Sequence, residues 1–547
     1  MALLWLALVF VHQAWFDTPT PASRLDLLFA VVVDGKVQID DYHDNTPDKA
    51  LHRGHYYSDK APGTAALALP AFAAMYGLQR GIGVGVEDRR AWLACSWAAC
   101  AFSQALPAAL GGVLLLAWLR QHVPPRTALV AVLALWLGSL PLPYSTLLFS
   151  HAQVIGLISI AVWSLRLFED WPAIGAGSLD RPSHSAGESL AVGRGQHVSG
   201  CPQSSWWMAL AGGCLGLALA SEYTAGLVVL GLLVHAVVRH RRWQQVAALG
   251  AGAVPPLLLI PAYSWITLGT PFQLPYSHQA SFAEMSDGLY AIQWPDLENL
   301  LRLLFGPTRG LVFWTPFLLL AASGWWWIAR RRPRWLWLAY GLPLLHVVVI
   351  SGRTWDWQAG YTLSARYLAP ILPLVALPCA LGTVRWPRLG TVLAAFSITL
   401  VSLATVTDAC PIYSIGNPLT GLHLPRLIEG RFSPNLATTV FGLPPFAGVA
   451  VFGLVVAAGI MWAWRTAGGQ RVLPERLTGD GPDRSASNPP LAGCADIVTA
   501  ARGDGGWFGT AVRQASPRTA SPATSPSTNP GCADPSSEPG PYVRWQV

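Results

Sequence analysis

One stretch of the chain, Ser23 to Gly63, brings together side chains that could carry out chemistry. After a turn signal at Asp34-Gly35, it contains carboxylates, a histidine, adjacent tyrosines and a lysine: Asp40, Asp41, Asp44, Asp48, His55, Tyr56, Tyr57 and Lys60. A carboxylate can take a proton from a hydroxyl group, a lysine can pair with a phosphate, and aromatic rings can pack on sugar faces. The alternative is a solvated acidic loop. The ending Tyr56-Tyr57-Ser58-Asp59-Lys60, close to an apolar helix, favours a functional site.

The lysines of this stretch have two interpretations. The chain has 36 Lys and Arg residues, but only Lys36, Lys49 and Lys60 are lysines. Either the loop is simply the least hydrophobic part of the body, or ammonium groups are placed here to meet anions.

The elements that position these residues can be predicted from the composition. Of the 547 residues, 52% are hydrophobic and only 12% are charged, whereas soluble globular proteins carry about 25% charged residues. Many apolar residues fall in runs of about 17 to 25, the length that a helix needs to cross a bilayer. This pattern excludes a disordered protein, a secreted disulfide scaffold and an ordinary cytosolic enzyme. It predicts an all-α, polytopic membrane protein.

Twelve transmembrane helices are predicted, the first of them within residues 1–16. The others are expected at 91–119, 128–148, 152–168, 206–222, 224–238, 245–268, 311–329, 335–351, 367–384, 389–407 and 444–464. The stretch 64–78 is shorter and contains Pro70, so arginine placement decides its position. If it lies along the interface as a juxtamembrane helix, every compact arginine cluster between spans falls on the cytoplasmic side, as the positive-inside rule requires.

This topology divides the chain into a body and a tail. Residues 1–465 form the transmembrane body, with a long first periplasmic loop at 17–90 and a cytoplasmic insertion at 169–205. Further outer segments are expected at 141–151, 269–310, 352–366 and 408–443. Residues 466–547 are rich in Ser, Pro, Thr and Gly and have no apolar periodicity, which predicts a disordered cytoplasmic tail.

A second outer segment carries aromatic and cationic residues. Trp355, Trp357 and Arg366 lie between Ser351 and the span that begins at 367. Tryptophan rings beside a glycine suit stacking on a sugar, and an arginine at a helix start can bind phosphate through two hydrogen bonds. The alternative is an aromatic belt at the membrane surface with snorkelling arginines.

Motifs for other chemistries are absent from the sequence. The eight cysteines contain no Cys-x-x-Cys pair, and no His-x-x-x-His or His-Glu-x-x-His spacing occurs. We therefore expect no metal and no other cofactor, with a divalent cation as the remaining alternative. No phosphate-binding glycine loop occurs, which disfavours a cytoplasmic nucleotide-sugar donor. The arginines are scattered in short loop clusters, so nucleic acid is not an expected partner.

The end of the first loop resembles a known superfamily. The element Tyr57-Ser58-Asp59-Lys60-Ala61-Pro62, which follows a long outer loop and precedes an apolar helix, is similar to the Tyr-x-x-Lys-Pro-Pro element of bacterial C-type integral-membrane glycosyltransferases. This group includes the protein O-mannosyltransferases and the aminoarabinose transferases of lipid A. The resemblance implies a polyprenyl-phosphate sugar donor, whose phosphate Lys60 would approach.

The sequence departs from this superfamily at the position of the catalytic acid. Its members usually place an acidic pair just after the first span, three residues ahead of an arginine. With Arg24 as that arginine, Pro21 and Ala22 occupy the two positions. The nearest substitutes are Asp26, Asp40, Asp41 and Asp48. We predict Asp40 and Asp48 as the catalytic residues, because each lies in a tight polar setting close to the expected donor site.

The predicted function is transfer of one sugar from a polyprenyl phosphate to an acceptor hydroxyl, at the outer face of the bacterial cytoplasmic membrane. The expected partners are the lipid-linked sugar, membrane lipid, and an acceptor that is a glycan, lipid or protein. The predicted substrate-binding residues are His55, Tyr57, Lys60, Trp355, Trp357 and Arg366. A secondary transporter or lipid flippase, or a catalytically inactive relative, is the alternative.

The topology predicts which residues a membrane-impermeant reagent can reach. A cysteine introduced by Asp44→Cys or Trp357→Cys should be labelled from outside, and one introduced by Arg332→Cys only after permeabilisation, because arginine clusters hold their loops inside. The measurement is the labelled fraction before and after permeabilisation. Labelling of Arg332→Cys from outside would overturn the twelve-span topology and make 64–78 a true span.

Overall fold

The computed structural model describes residues 1–12, 18–84, 89–167, 205–240, 242–282, 292–353, 357–412 and 414–469. These residues belong to one unit. The predicted insertion at 169–205 and the predicted tail at 466–547 lie almost entirely outside the described residues, and Trp355 also lies outside them.

Helices make up nearly all of the regular structure within the described ranges. In the first half of the body the α-helices are α1 (Ala2–Phe10), α2 (Pro19–Val32), α3 (Pro62–Gly81), α4 (Arg89–Cys100), α5 (Leu106–Leu119), α6 (Pro125–Leu137), α7 (Pro141–Tyr144), α8 (His151–Ser164), α9 (Ser205–Ser221) and α10 (Gly226–Arg239). In the second half they are α11 (Trp243–Leu257), α12 (Leu259–Leu268), α13 (Leu297–Phe305), α14 (Leu311–Trp314), α15 (Ala321–Arg331), α16 (Leu342–Ser351), α17 (Leu372–Arg385), α18 (Pro387–Asp408), α19 (Leu424–Ile428), α20 (Leu436–Phe441) and α21 (Pro445–Gly469).

Short helical turns of other types connect or extend these helices. The π-helical turns are Ala101–Ala105, Trp337–Gly341 and Leu419–His423. The 3₁₀ turns are His43–Asn45, Tyr223–Ala225, Pro275–His278, Pro316–Leu320, Pro333–Trp335 and Arg366–Ile371.

The predicted all-α polytopic class is confirmed. In the described part of the chain, six helices are long and apolar enough to cross a membrane: Ala91–Leu119, Trp243–Leu268, Pro333–Ser351, Arg366–Arg385, Pro387–Asp408 and Pro445–Thr466. Four shorter apolar helices coincide with other predicted spans: Pro125–Leu137, His151–Ser164, Ser205–Ser221 and Tyr223–Arg239.

The two remaining predicted spans differ from expectation. The described part of residues 1–16 contains only the nine-residue α1. The segment 311–329 is divided into α14, a 3₁₀ turn and α15, because Pro316 lacks the backbone N–H that would continue the helix. The helix predicted at 64–78 is present as α3 and is longer at both ends. It is not among the six long apolar helices, and its place along the interface stays a prediction.

The segment 17–90, which is predicted to be the first outer loop, contains a β-hairpin that the sequence pattern did not predict. Strand β1 (Lys49–His52) pairs with strand β2 (His55–Ser58) in antiparallel register, with Lys49 opposite Ser58. The two turn residues, Arg53 and Gly54, both have positive φ angles, 52° and 84°, as in the type I′ turns that match the twist of a hairpin. This register brings the residues just outside the strands, Asp48 and Asp59, to the same end of the hairpin.

The start of α3 packs closely against the end of α9. A Cβ atom added to Gly63 would lie 2.6 Å from the carbonyl carbon of Ala220 and 2.6 Å from Ser221 Oγ. Within membranes, small residues let helix backbones approach in this way. The contact holds the segment that precedes α3, with Lys60, close to the end of α9.

A larger side chain at position 63 should therefore push α3 and α9 apart. We expect Gly63→Ala to lower the free energy of unfolding by about 1–3 kcal/mol, the usual cost of overpacking. Gly77→Ala is the matched control, because it lies in the same helix and its Cβ would meet no atom within 4 Å. The measurement is unfolding in detergent. Equal stability of the two variants would contradict the close packing of α3 against α9.

Candidate functional site

A cavity of about 940 Å³ lies where the first loop meets the ends of several helices. Its charged lining residues are Arg24, Asp48, Lys60, Glu222, Arg353 and Arg366, and its aromatic ones are Phe149, His151, Tyr223, Tyr276, Phe282, Tyr361 and Tyr367. Four cations and two carboxylates in one cavity, with aromatic rings between them, can bind an anion and also move a proton.

A buried ion cluster forms the first-loop side of this cavity. Lys60 Nζ lies 2.8 Å from Asp48 Oδ2 and 3.2 Å from Asp59 Oδ2. The three side chains are buried. Thr20 Oγ1 also donates a hydrogen bond of 2.8 Å to Asp48 Oδ2, which fixes this carboxylate against the first turn of α2. Pro62 at the start of α3 has the fixed φ that suits a helix N-terminus, and it places Lys60 two residues before the helix.

Burial and the Lys60 ammonium group have opposite effects on the pKa values of Asp48 and Asp59. Burial favours the neutral form of Asp48, but Lys60 and the Thr20 hydroxyl outweigh it and hold the pKa of Asp48 below its usual value. Burial is the larger effect at Asp59 and raises its pKa to about 6, although Lys60 opposes the shift. Burial disfavours the charged form of Lys60, yet the two carboxylates raise its pKa well above the usual value. At neutral pH the cluster therefore holds one ammonium between two carboxylates.

A second polar chain crosses the cavity at the ends of α8 and α9. Arg24 donates to the carbonyl oxygen of Leu148 at 3.2 Å and to Ser150 Oγ at 3.4 Å. The Ser150 hydroxyl donates in turn to Glu222 Oε2. The other oxygen of this carboxylate, Oε1, accepts a hydrogen bond of 2.9 Å from Thr224 Oγ1. The hydroxyl groups thus hold the Glu222 carboxylate between themselves, within the field of Arg24.

The third side of the cavity consists of two guanidinium groups around one ring. The Arg353 guanidinium lies 4.6 Å from the centre of the Tyr367 ring, and that of Arg366 lies 5.3 Å from it. Arg366 also lies 4.8 Å from the centre of the Phe149 ring. Stacking of this kind orients a guanidinium while its edge keeps the capacity to donate hydrogen bonds to an anion.

Three of the predicted site residues come together in this cavity: Asp48, Lys60 and Arg366. Asp48 and Lys60 are joined by the hairpin register, since Asp48 precedes β1 and Lys60 follows β2 by two residues. Arg366 reaches the cavity from the start of the helix Arg366–Arg385. The sequence alone does not predict that Asp48 and Arg366, which are far apart in the chain, line the same cavity.

The other described candidates do not line the cavity. Asp40 accepts a hydrogen bond of 2.7 Å from the Tyr56 backbone N–H and lies 2.8 Å from His55 Nδ1, on the exposed part of the loop. Tyr57 is buried in β2 opposite Ala50. Trp357 packs beneath the guanidinium of Arg302, 5.4 Å from the ring centre.

Several lining residues were not among the predicted site residues. Arg24, Glu222, Arg353 and Tyr276 belong to this group. A signal existed for Glu222, because an ionisable residue at the end of an apolar helix is expensive unless it has a function. Arg24 lies between Ser23 and Leu25 in α2, where the sequence gives no indication that its side chain turns toward residues 148 and 150.

Among the residues that the structure describes, the site shows no arrangement typical of a metal centre. In the described ranges, no group of three or more His, Cys, Asp or Glu side chains is placed to hold a metal ion. The independence from metal and other cofactors stays a prediction.

Comparisons with known proteins find similarity in structure. No family model matches the chain, and no curated protein matches it. Among solved structures, the chain is similar to two crystal structures of ArnT from Cupriavidus metallidurans, in the apo state and bound to undecaprenyl phosphate. Each shares 16% sequence identity with it, over 85% of this chain and 74% of that chain, with TM-scores of 0.41 and 0.42.

The buried ion cluster predicts a large effect of removing its ammonium. We expect Lys60→Met to lower the free energy of unfolding by about 3–5 kcal/mol, because two buried carboxylates lose their counter-ion. The double variant Lys60→Met with Asp59→Asn should recover part of this loss. Lys36→Met is the control, because the Lys36–Asp41 pair is exposed and such pairs contribute about 1 kcal/mol or less.

Denaturant titration in mixed micelles measures all three variants. A Lys60→Met variant that is as stable as Lys36→Met would show that Lys60 is not held between Asp48 and Asp59.

Proposed function

We propose that this protein is a membrane glycosyltransferase that moves a sugar from a polyprenyl-phosphate donor to an acceptor hydroxyl at the outer face of the bacterial cytoplasmic membrane. The observation that carries the proposal is the cavity in which Arg24, Arg353 and Arg366 lie together with the Lys60–Asp48 pair. Such a site can stabilise a phosphate leaving group and accept a proton from a hydroxyl group in the same step.

The position of the cavity in the chain favours an enzyme over a transporter. The lining residues come from segments predicted to be outer or from the ends of helices beside them. They lie within 18–24, 47–61, 149–151, 222–224, 274–282 and 358–367, together with Ile292 and Arg353. Secondary transporters bind substrate near the bilayer midplane, between broken helices. A cavity built from loops on one side suits a donor whose lipid tail stays in the membrane while its head group enters from the surface.

The arginines suit a phosphodiester that becomes a phosphate monoester during the reaction. The donor carries one negative charge at its phosphate, and cleavage of the bond between the sugar C1 and the phosphate oxygen leaves a second charge there. Guanidinium groups meet phosphate oxygens through paired, charge-assisted hydrogen bonds. Arg24, Arg353 and Arg366 would therefore bind the leaving group more strongly as its charge develops, which is the requirement for lowering the barrier.

Asp48 is the residue best placed to act as the general base. In the proposed step, the acceptor oxygen forms a bond to C1, the C1–O bond to phosphate breaks with its electron pair on the phosphate, and the acceptor proton moves to Asp48. The pKa of Asp48 lies below its usual value because Lys60 and Thr20 outweigh the effect of burial. Asp48 is therefore ionised at neutral pH and ready to accept the proton.

The competing carboxylates of the first loop are less suitable as bases. Asp40 lies beside His55 on the exposed part of the loop, and Asp41 pairs with Lys36. Asp26 is buried in α2 and accepts a hydrogen bond of 3.1 Å from Asn45 Nδ2. Burial raises the pKa of Asp26 well above its usual value, although Asn45 opposes the shift, so this carboxyl group is poorly suited to exist as a charged base.

Substitutions on the two sides of the cavity should separate binding from turnover. We expect Asp48→Asn to bind undecaprenyl phosphate like the wild type but to slow sugar transfer by about 10²–10⁴-fold, the usual contribution of a general base. Arg366→Gln should weaken binding by about 1.5–3 kcal/mol, the range for a hydrogen bond to a charged group. Binding is measured by titration in nanodiscs. Turnover is measured as release of polyprenyl phosphate from a panel of lipid-linked sugars, with envelope extract as acceptor.

Variants elsewhere in the loop provide the controls for this experiment. Asp44→Asn changes a carboxylate that is 81% exposed and should transfer sugar at the wild-type rate. Asp40→Asn decides between the two predicted bases. If this variant loses transfer while Asp48→Asn transfers normally, the general base is Asp40, which does not line the cavity. The assay is run with and without a chelator, because we propose that no metal ion takes part.

A further inference from the structure

Asp59 is a buried ionisable residue that the proposed reaction does not use directly. Its Oδ2 atom accepts hydrogen bonds of 3.2 Å from Lys60 Nζ and 3.2 Å from Gln279 Nε2. Its Oδ1 atom is buried and has no hydrogen-bond partner in the part of the chain that the structure describes. The residue is fully buried and directly precedes Lys60, so its carboxylate must serve the ion cluster and not solvent.

The contacts of Lys60 show how its charge is distributed. An ammonium group has three N–H donors. One meets Asp48 and one meets Asp59, and the Tyr276 ring lies on a further side, with its centre 5.2 Å from Nζ. The Lys60 charge is therefore shared between two carboxylates.

We propose that Asp59 is a positioning residue for the transfer reaction, which holds one side of the Lys60 ammonium so that Asp48 receives only part of its charge and remains basic enough to accept the acceptor proton. This inference rests on the proposed function. It assigns phosphate binding to the arginines and gives Lys60 the role of a shared counter-ion.

The charge balance of the step supports this assignment. Before transfer, one ammonium faces two carboxylates. When Asp48 takes the acceptor proton it becomes neutral, and Lys60 then keeps Asp59 as its counter-ion. Without Asp59, protonation of Asp48 would leave a buried ammonium unpaired, which is strongly unfavourable. The second carboxylate thus makes proton uptake by Asp48 compatible with a buried lysine.

The surroundings of Asp59 agree with this role. Gln279 contacts it from the segment after α12, Tyr276 and Arg24 lie within its electrostatic range, and the Tyr263 hydroxyl donates to the neighbouring Ser58 carbonyl oxygen at 2.8 Å. Asp48 is the other acid that faces Lys60. Because burial raises the pKa of Asp59 to about 6 against the opposing effect of Lys60, Asp59 is ionised at neutral pH and becomes neutral as the pH falls through 6.

The test is the pH dependence of transfer by Asp59→Asn. With Asp59 neutral, the whole Lys60 charge acts on Asp48 and the repulsion from a second carboxylate is lost, so the pKa of Asp48 falls. We expect a lower kcat at neutral pH, loss of the acid limb that protonation of Asp59 produces near pH 6 in the wild type, and an unchanged KM for the donor. Asp59→Glu should restore part of kcat and return the acid limb toward that of the wild type. Asp44→Asn is the control for a carboxylate removed from the same loop.

Other outcomes would overturn the inference. A fall in kcat with an unmoved acid limb would show a merely structural role, and a raised donor KM would show that Asp59 helps to bind substrate. If Asp59→Asn does not fold, Gln279→Leu provides the second variant. It removes one donor to the Asp59 carboxylate, which raises the pKa of Asp59, so the acid limb should move to higher pH. An unmoved limb would again contradict the role.

A measurement without turnover separates this inference from the proposed function. The infrared difference between wild type and Asp59→Asn should show a protonated carboxyl group that titrates near pH 6. If this group titrates as expected but the wild type transfers no sugar from any lipid-linked donor, the counter-ion arrangement holds and the proposed function fails. If no such titration occurs, the arrangement itself is wrong, whatever the activity.

Discussion

A buried ammonium group between two carboxylates is the interaction on which the rest of the site depends. Lys60, Asp48 and Asp59 are all nearly inaccessible, and a charge in such a place is tolerated only when it is paired and hydrogen-bonded. The hairpin β1–β2 meets this requirement, because its register brings both carboxylates to the lysine. The first turn of α2 adds the Thr20 hydroxyl, and the close contact of Gly63 with α9 holds the lysine at the edge of the cavity.

The rest of the cavity follows from the same need to compensate buried charge. Arg24 reaches Glu222 through the Ser150 hydroxyl, and Arg353 and Arg366 stack on the Tyr367 ring. Arg366 also contacts the Phe149 ring, so Arg24, Arg353 and Arg366 are each oriented by a neighbour from another segment of the chain. A site that is oriented in advance needs little reorganisation when charge develops on a leaving phosphate, and this favours group transfer.

Part of the fold could be predicted from the sequence because hydropathy is a local property. The apolar runs identify helices such as α18 and α21, and they locate the middle of α3, which begins two residues before the predicted start. The hairpin was missed because its strands have only four residues each and show no regular alternation of apolar and polar side chains. The break in the segment 311–329 was missed because hydropathy does not detect the lost hydrogen bond at Pro316.

For this protein, the sequence by itself determined the membrane class and most of the helices, and it identified the segment that ends at Lys60 as a candidate site, because these predictions depend on composition and short spacing. Only the tertiary structure separated Asp48 from Asp40, which have similar surroundings in the sequence. The hairpin turns one toward Lys60 and leaves the other beside His55. The meeting of Arg24 with Leu148, 124 residues away, was likewise decided by helix packing, since contacts between distant residues depend on how the helices fit together and not on the order of residues within any one of them.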